Sequence, residues 1–263
     1  MWVKYRPALA LMAICVALAV IWEVVKFAFG LTKVTLPHLW EIVGAFINPA
    51  RRNGPPLAGI LFDAALFTMR GALSGFVAGA ILGLILGIVF AHVPLLERGL
   101  VPYVVASQTI PILAIAPMVV IWLKNPIVSV AVIAAYLTFF PVTINTLRGL
   151  RSPDPRAVEL MRSYAATGWQ TLWKLRFPAA LPYIFTALKI SATASVIGAI
   201  IGELPSGIRD GLGGAILNFN QYYITGPERL WATIVMAAAV GIIFFIAVTL
   251  VERVALRNVV RTN

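Results

Sequence analysis

Residues 151–182 read RSPDPRAVELMRSYAATGWQTLWKLRFPAALP, a basic stretch between two long apolar segments. Asp154 followed by Pro155 is typical of a helix start, because the carboxylate can accept a backbone N–H and proline presets φ for the first turn. A membrane protein has little structural need for so regular a polar loop. The stretch therefore indicates more than a simple connection.

A second helix start follows within the same stretch. Thr167 with Gln170 three residues later is a capping-box pattern, which predicts a short helix beginning near Gly168. We expect Pro178 to end this helix and Pro182 to begin the next apolar segment.

Apolar side chains on this stretch favour a docking surface for a soluble protein. Val158, Met161, Tyr164 and Trp169 would be exposed on the two short helices, and exposed apolar groups of this kind mark interaction sites. The alternative is a solvated loop that faces lipid headgroups. Two capped helices in a loop far longer than a turn favour docking.

The composition places the chain in a membrane. Of its 263 residues, 60% are hydrophobic and 12% are charged. A bilayer can solvate that much apolar surface, whereas a soluble domain of this length could not bury it. The net charge is +11, but the Lys and Arg residues flank the apolar segments, so lipid headgroups explain them and nucleic acid is not expected. Cys15 is the only cysteine, which excludes an intrachain disulfide and a Cys-rich metal site.

We predict an all-α, polytopic membrane protein with six spans, because a spanning helix needs about 20 mostly apolar residues. The first span resembles a signal peptide, but its apolar run continues past the cleavage-like Ala17–Ala19, so we expect it to be uncleaved. The predicted spans cover roughly residues 8–29, 71–91, 101–122, 127–147, 182–203 and 230–252.

These spans divide the chain into three regions. Residues 1–70 would contain the first span and external amphipathic segments, including short interfacial helices at Pro37–Ile47 and Leu57–Met69. Residues 71–257 would form the main helical body, and residues 258–263 a basic tail.

The basic residues predict an orientation. With six spans and the N-terminus inside, 13 of the 21 Lys and Arg residues fall on the cytoplasmic side, as the positive-inside rule requires. This moderate bias places the 148–182 loop and both termini in the cytoplasm.

The second span carries a glycine at every fourth position. Glycines at this spacing lie near one another on a helix face and let a neighbouring helix approach closely. Tight packing is the favoured interpretation, and a sliding surface that permits rearrangement is the other. The residues are Gly71, Gly75, Gly79, Gly83 and Gly87.

Polar residues and prolines within the spans are candidates for a pathway lining. Pro111 and Pro117 in the third span each remove a backbone donor, and broken helices at membrane depth are tolerated where they line a cavity or are buried in protein. Gln108 just before them favours a pathway over a simple kink. Asn145 and Ser195 either line a polar route or bond back to their own helices.

Glu203 ends the fifth span in the sequence GELPSGIRDGLGG. An ionisable group near membrane depth is costly and usually has a partner or faces water. It would either line the pathway at an outer gate, or cap the following turn or pair with Arg209. The following glycines predict a flexible or tightly folded re-entrant segment. They are Gly207, Gly211, Gly213 and Gly214.

The stretch quoted first resembles the cytoplasmic signature of the permease subunits of bacterial ABC importers. That signature is Glu-Ala-Ala, three residues, Gly, nine residues, Ile, one residue and Leu-Pro. The corresponding residues here are Glu159-Leu160-Met161, Ala165, Leu175 and Phe177-Pro178. IPILAIAPMVVIW before the loop and FPAALPYIFTALKIS after it resemble the nitrate/sulfonate/taurine branch, and the resemblance runs from about residue 66 to residue 257.

The resemblance implies a type I ABC importer permease fold, with residues 71–257 as the permease core and the 148–182 loop coupled to an ATPase. The implied coupling residues are Arg156, Glu159, Met161, Arg162, Tyr164, Ala165, Gly168 and Pro178. The candidates for the translocation pathway are Gln108, Pro111, Pro117, Asn145, Ser195 and Glu203.

The resemblance also implies partners. They are a second permease copy, two ATP-binding subunits and a periplasmic or lipid-anchored substrate-binding protein, assembled in the lipid of the bacterial inner membrane. The sequence contains no Gly-Lys-Ser/Thr phosphate loop, so ATP and Mg would be bound by the partner. We expect no catalytic residue, metal or cofactor on this chain.

The transported solute is a narrower question. GELPSGIRDGLGG followed by Tyr222 and Tyr223 resembles permeases linked to thiamine-precursor, pyrimidine or riboflavin uptake, while nitrate, sulfonate and taurine stay open. A proton-coupled secondary transporter using Glu203 is the alternative, although no internal repeat supports it. An intramembrane enzyme would need a nucleophile–base or metal constellation that the sequence lacks.

Overall fold

The computed structural model describes residues 6–50 and 54–257, which are helical and contain no β-strand. The α-helices are α1 (Arg6–Ala28), α2 (Leu39–Ile47), α3 (Leu57–His92), α4 (Pro94–Ser107), α5 (Ile112–Leu123), α6 (Pro126–Leu150), α7 (Pro155–Ser163), α8 (Gly168–Thr171), α9 (Phe177–Ser206), α10 (Leu212–Gln221) and α11 (Pro227–Leu256). A π-helical turn at Leu172–Arg176 joins α8 to α9, and a short 3₁₀ turn covers Tyr223–Thr225.

The described residues divide into two compact units, one formed by residues 6–50, 54–63 and 215–236, the other by residues 64–214 and 237–257. The larger unit is built around α6. On one side, the α3 glycines meet its backbone: a Cβ added at Gly75 would lie 2.4 Å from Ala134 Cβ, and one at Gly79 would lie 2.5 Å from the Ala135 carbonyl oxygen. Gly71, Gly83 and Gly87 likewise face α6. The glycine spacing therefore creates a seam in which two backbones touch.

Small residues also join α6 to α9. A Cβ at Gly198 would lie 2.8 Å from Ala134 Cα, and one at Gly149 would lie 2.9 Å from Ala180 Cα. Ser191 on α9 donates a buried hydrogen bond to the Thr138 carbonyl at 3.2 Å. Helix α6 is thus held closely on two sides, and this packing fixes the long helices that carry the candidate site.

The smaller unit contains a network of polar contacts. The Glu23 carboxylate lies 2.7 Å from His38 Nδ1, and the Trp22 and Trp231 rings pack edge to face at 5.0 Å. Lys33 Nζ lies 3.2 Å from Glu228 Oε2 and 3.6 Å from a Glu41 oxygen. Partial burial lowers the pKa of Lys33, but attraction to those two carboxylates outweighs it and raises the pKa above the ordinary 10.5.

The predicted count of six spans is not confirmed. Within residues 6–50 and 54–257, four helices are long and apolar enough to cross a membrane, or five if the bent pair α4–α5 is one span. The four are α3, the continuous run from α8 through α9 (Gly168–Ser206), α6 and α11. The basic tail predicted at 258–263 lies outside the described residues.

Of the two interfacial helices predicted before the second span, one forms as a separate element. Helix α2 forms at Leu39–Ile47. The predicted helix at Leu57–Met69 is wrong as a separate element, because residues 57–92 form one helix. No proline interrupts this stretch, so the backbone ladder continues past Met69 and the amphipathic first turns become the start of a long span.

Candidate functional site

The two short helices of the 151–182 stretch form where the sequence predicts them. The Asp154 side chain accepts the Arg156 N–H at 2.8 Å and begins α7. Thr167 and Gln170 make the reciprocal bonds of a capping box and begin α8. Both predicted helix starts are confirmed.

Helix α7 ends in a left-handed turn at Ala165. This residue has φ of +51°, a conformation that normally favours glycine. The Ala166 N–H donates to the Met161 carbonyl at 3.0 Å, and the Ala165 N–H donates to the Arg162 carbonyl at 2.9 Å. These are the two bonds of a Schellman motif, so the turn keeps the glycine geometry although alanine occupies the position.

The predicted role of the two prolines after α8 is wrong. Pro178 lies in the first turn of α9 and Pro182 lies inside that helix. The π-helical turn just before Pro178 shifts the hydrogen-bond register, with the Phe177 N–H reaching the Leu172 carbonyl, and such turns accommodate local disruption within a helix. The chain from Gly168 to Ser206 is therefore one continuous helical run.

The exposed surface of residues 155–176, which we call the coupling surface, carries both apolar and charged side chains. Tyr164 is 77% exposed and Trp169 is 68% exposed. Arg156, Glu159 and Arg162 are also exposed, and they make no ion pair among the described residues. These free charges and aromatic rings are available to a partner.

The coupling surface borders a cavity of about 380 Å³. Glu159 and three arginines, Arg151, Arg162 and Arg176, contribute to its lining. Arg151 also makes a two-pronged ion pair with Glu97 on α4, whose Nη1–Oε1 distance is 2.6 Å. This pair connects the end of α6, just before the coupling surface, to the first half of the bent helix pair.

The bent pair contains three of the predicted pathway residues. Helices α4 and α5 meet at an angle of 97°. Gln108 directly follows α4, and its side-chain nitrogen is buried and unpartnered among the described residues. Pro111 directly precedes α5. The break falls at Pro111 alone, because Pro117 lies within α5. The Tyr136 hydroxyl donates to the Ser107 carbonyl beside the bend.

The remaining pathway candidates lie apart from one another. Asn145 donates to the Pro141 carbonyl at 2.8 Å, and Ser195 donates to the Ala192 carbonyl at 2.9 Å, each on its own helix. Glu203 is completely buried and accepts hydrogen bonds from Thr68 and Gly213. Among the described residues, no hydrogen bond joins any two of the candidates.

Two contacts of the candidate site are not predictable from the sequence. Thr68 meets Glu203 across 135 positions, and Glu97 meets Arg151 across 54. Neither contact has a local sequence signal. The position of Glu203 near membrane depth did indicate that its carboxyl either has a partner or faces water.

Comparison with known proteins links this geometry to a transport family. A family described as "Binding-protein-dependent transport system inner membrane component" matches residues 79–257. The Riboflavin transport system permease protein RibX of Chloroflexus aurantiacus is 34% identical over 95% of this chain and 90% of its own length. The Formylaminopyrimidine transport permease protein ThiX of Halalkalibacterium halodurans is 38% identical over 61% of this chain and 63% of its own length.

A solved structure supports the fold. The MetNI methionine ABC transporter in inward facing conformations matches with a TM-score of 0.55 and 20% identity, over 75% of this chain and 95% of that chain. A permease protein SsuC of Bacillus subtilis, named for aliphatic sulfonates transport, is 31% identical over 97% of this chain and 87% of its own length.

Proposed function

The chain belongs to the binding-protein-dependent transport system inner membrane components and is a permease subunit of an ABC importer, and we propose that it moves a small nitrogen heterocycle, coupled through residues 155–176 to a separate ATPase. The observation that carries the coupling proposal is the exposed surface of two capped helices, the second of which begins the continuous run Gly168–Ser206. The ATPase would bind ATP and Mg, and this chain would carry out no chemistry.

The exposed residues of the coupling surface fit a protein partner. Tyr164 and Trp169 offer large apolar areas, and Arg and Trp side chains are typical of interface centres. Glu159 and Arg162 add charges of opposite sign that can select a complementary groove. ATP binding would favour one arrangement of the two ATPase subunits, and the coupling surface would follow that shift in population.

The proposed solute class rests on the relatives and on one sequence segment. The relatives named for riboflavin and formylaminopyrimidine transport share 34% and 38% identity with this chain. The 202–214 segment and the following tyrosine pair resemble permeases of this kind. A sulfonate is the second candidate, because the SsuC relative covers 97% of the chain at 31% identity.

We also propose that two copies of the chain form the pathway. Large apolar side chains on the bent pair are not covered by other parts of the chain. Leu95 is 80% exposed, and Tyr103, Ile121 and Trp122 are also largely exposed. A second copy would cover part of this face and lipid the rest. The side-chain nitrogen of Gln108, buried and without a hydrogen-bond partner in the described part of the chain, lies at the bend between α4 and α5.

An affinity purification tests the coupling proposal. The tagged chain, co-expressed with its candidate ATPase subunit and purified in nanodiscs, should retain a stoichiometric ATPase. The double charge reversal Glu159→Lys with Arg162→Glu should remove it. The matched control is the double reversal Glu41→Lys with Lys33→Glu, which alters charges in the smaller unit.

The outcomes separate the proposals. Loss of the ATPase in both double variants would attribute the effect to folding and contradict a specific coupling surface. A chain that transports without any ATPase would restore the proton-coupled alternative, which neither the family nor the relatives favour. Uptake by the assembled importer, with riboflavin, formylaminopyrimidine and taurine as competing solutes, then tests the solute class.

A further inference from the structure

The Glu203 carboxyl on α9 is hydrogen-bonded to the start of α10. Its Oε2 atom accepts the Gly213 N–H at 2.8 Å and the Thr68 hydroxyl at 3.1 Å. The Thr68 oxygen in turn accepts the Leu212 N–H at 2.9 Å. Leu212 and Gly213 are the first two residues of α10, whose N–H groups have no partner within the helix. Side chains from α9 and α3 therefore cap a third helix.

The connecting residues 207–214 fit closely over this carboxyl. A Cβ added at Gly211 would lie 2.3 Å from Glu203 Cδ, and one at Gly213 would lie 2.7 Å from Glu203 Cβ. Gly207 begins the segment with φ of +71°. Any side chain at positions 211 or 213 would displace the segment, so these glycines are needed for contact with the carboxyl.

The same helix links this contact to the coupling surface. Residues 168–206 form one helical run, and Glu203 lies about 40 Å along it from Arg176 at 1.5 Å per residue. A displacement of residues 168–176 would therefore be carried along the helix to the Glu203 end. Thr68 lies on α3, so movement of α9 relative to α3 would strain the hydrogen bond that the Thr68 hydroxyl donates to Glu203.

Only one of the two Glu203 carboxyl oxygens is hydrogen-bonded to the described residues. Its Oε1 atom is buried and has no hydrogen-bond partner among the described residues. A buried unpartnered oxygen makes the arrangement less stable than a fully satisfied one. It also leaves an acceptor for a different donor when the helices shift.

We propose that Glu203 and Thr68 are positioning residues that latch residues 207–214 to α9 and α3, and that release of this latch links ATP hydrolysis to solute movement. The proposal rests on the proposed coupling function. In this proposal, the Glu203 carboxyl controls when residues 207–214 move, and it does not need to contact the solute.

The first test measures the latch without the ATPase. In a Cys15→Ala background, Leu212→Cys reports on the segment, because Leu212 is completely buried. A water-soluble maleimide should label this cysteine slowly in nanodiscs, and Glu203→Gln or Thr68→Val should raise the rate about fivefold or more, as expected for losing one net hydrogen bond. The control Thr233→Val removes an equally buried hydroxyl that bonds only its own helix, and the rate should not change.

The second test measures coupling in the assembled importer. Solute uptake and ATP hydrolysis are measured in the same liposomes containing the binding protein. Glu203→Gln and Thr68→Val should lower the solute moved per ATP by about fivefold while ATP hydrolysis persists, as expected for losing one net hydrogen bond. Gly211→Ala should act in the same direction, and Gly241→Ala, whose added Cβ meets no atom within 4 Å, should not.

Each result decides one point. Unchanged labelling of Leu212→Cys in both variants would overturn the latch, whether or not an ATPase assembles. Faster labelling with an unchanged uptake-to-hydrolysis ratio would restrict Glu203 to a structural role and overturn its link to coupling. A parallel fall of uptake, hydrolysis and assembled complex would do the same. Absence of any ATPase partner would refute the coupling function while leaving the labelling result valid.

Discussion

Replacing Ala165 by glycine should strengthen the turn that ends α7. Ala165 has φ of +51°, where the Cβ of an L-residue crowds the backbone at a cost of roughly 1–2 kcal/mol. Glycine removes that crowding but adds about 0.4–1 kcal/mol of entropy to the unfolded chain. Taken near the middle of both ranges, the net gain for Ala165→Gly is about 0.5–1 kcal/mol.

Amide hydrogen exchange measured by mass spectrometry gives the local readout. The two bonds that close the turn, from Ala165 and Ala166 to the preceding helix, remain in the variant. A gain of about 0.5–1 kcal/mol in local opening energy should slow exchange across residues 155–167 by about two- to fivefold. Exchange across α6 should stay unchanged.

Ala166→Gly is the matched control. It makes the same chemical change at the next position, which lacks a positive φ, and should speed local exchange because only the entropy cost of about 0.4–1 kcal/mol applies. If Ala165→Gly also speeds exchange, the left-handed geometry of the turn is refuted. The likeness of Ala165 to the glycine of the family signature would then be one of sequence alone.

Two further predictions concern the seam and the smaller unit. Gly75→Ala places a Cβ 2.5 Å from the Ala131 carbonyl oxygen and should destabilise the protein by about 1–3 kcal/mol in thermal melting. The control is Gly241→Ala, whose added Cβ meets no atom within 4 Å. An equal effect of both changes would contradict close packing of α3 on α6. Lys33→Met should lower the melting temperature at neutral pH. Because the folded-state pKa of Lys33 is raised, its contribution is complete below its ordinary value of 10.5 and is lost at higher pH. A melting deficit that persists above that range would contradict the ion-pair explanation.

Local sequence patterns predicted the local structure well. The helix starts at Asp154 and Thr167 depend on residues two or three positions apart, and both form as expected. The glycine spacing of α3 is likewise a property of one helix face, and it meets α6 along its length. Such features are readable because every interacting group lies within a few residues or repeats regularly.

Contacts between distant segments were not predictable in the same way. Nothing near Thr68 indicates that its hydroxyl bonds Leu212, 144 positions away. The expectation that proline ends or breaks a helix was wrong in two places. A π-helical turn accommodates Pro178 within a longer helix, and Pro117 lies inside α5 without breaking it. Local rules for proline assume a regular register, and tertiary packing can override that assumption.

The exposed aromatic rings of the coupling surface also bear on the life of the protein in the cell. Leu160, Tyr164, Trp169 and Trp173 are each at least 47% exposed in the chain alone. A subunit made in excess of its partner would display these side chains to chaperones and proteases, which recognise accessible apolar surface and remove such species continuously. The same rings that would bind the ATPase would then mark unassembled copies for clearance, so subunit stoichiometry would be enforced by degradation without a dedicated regulator.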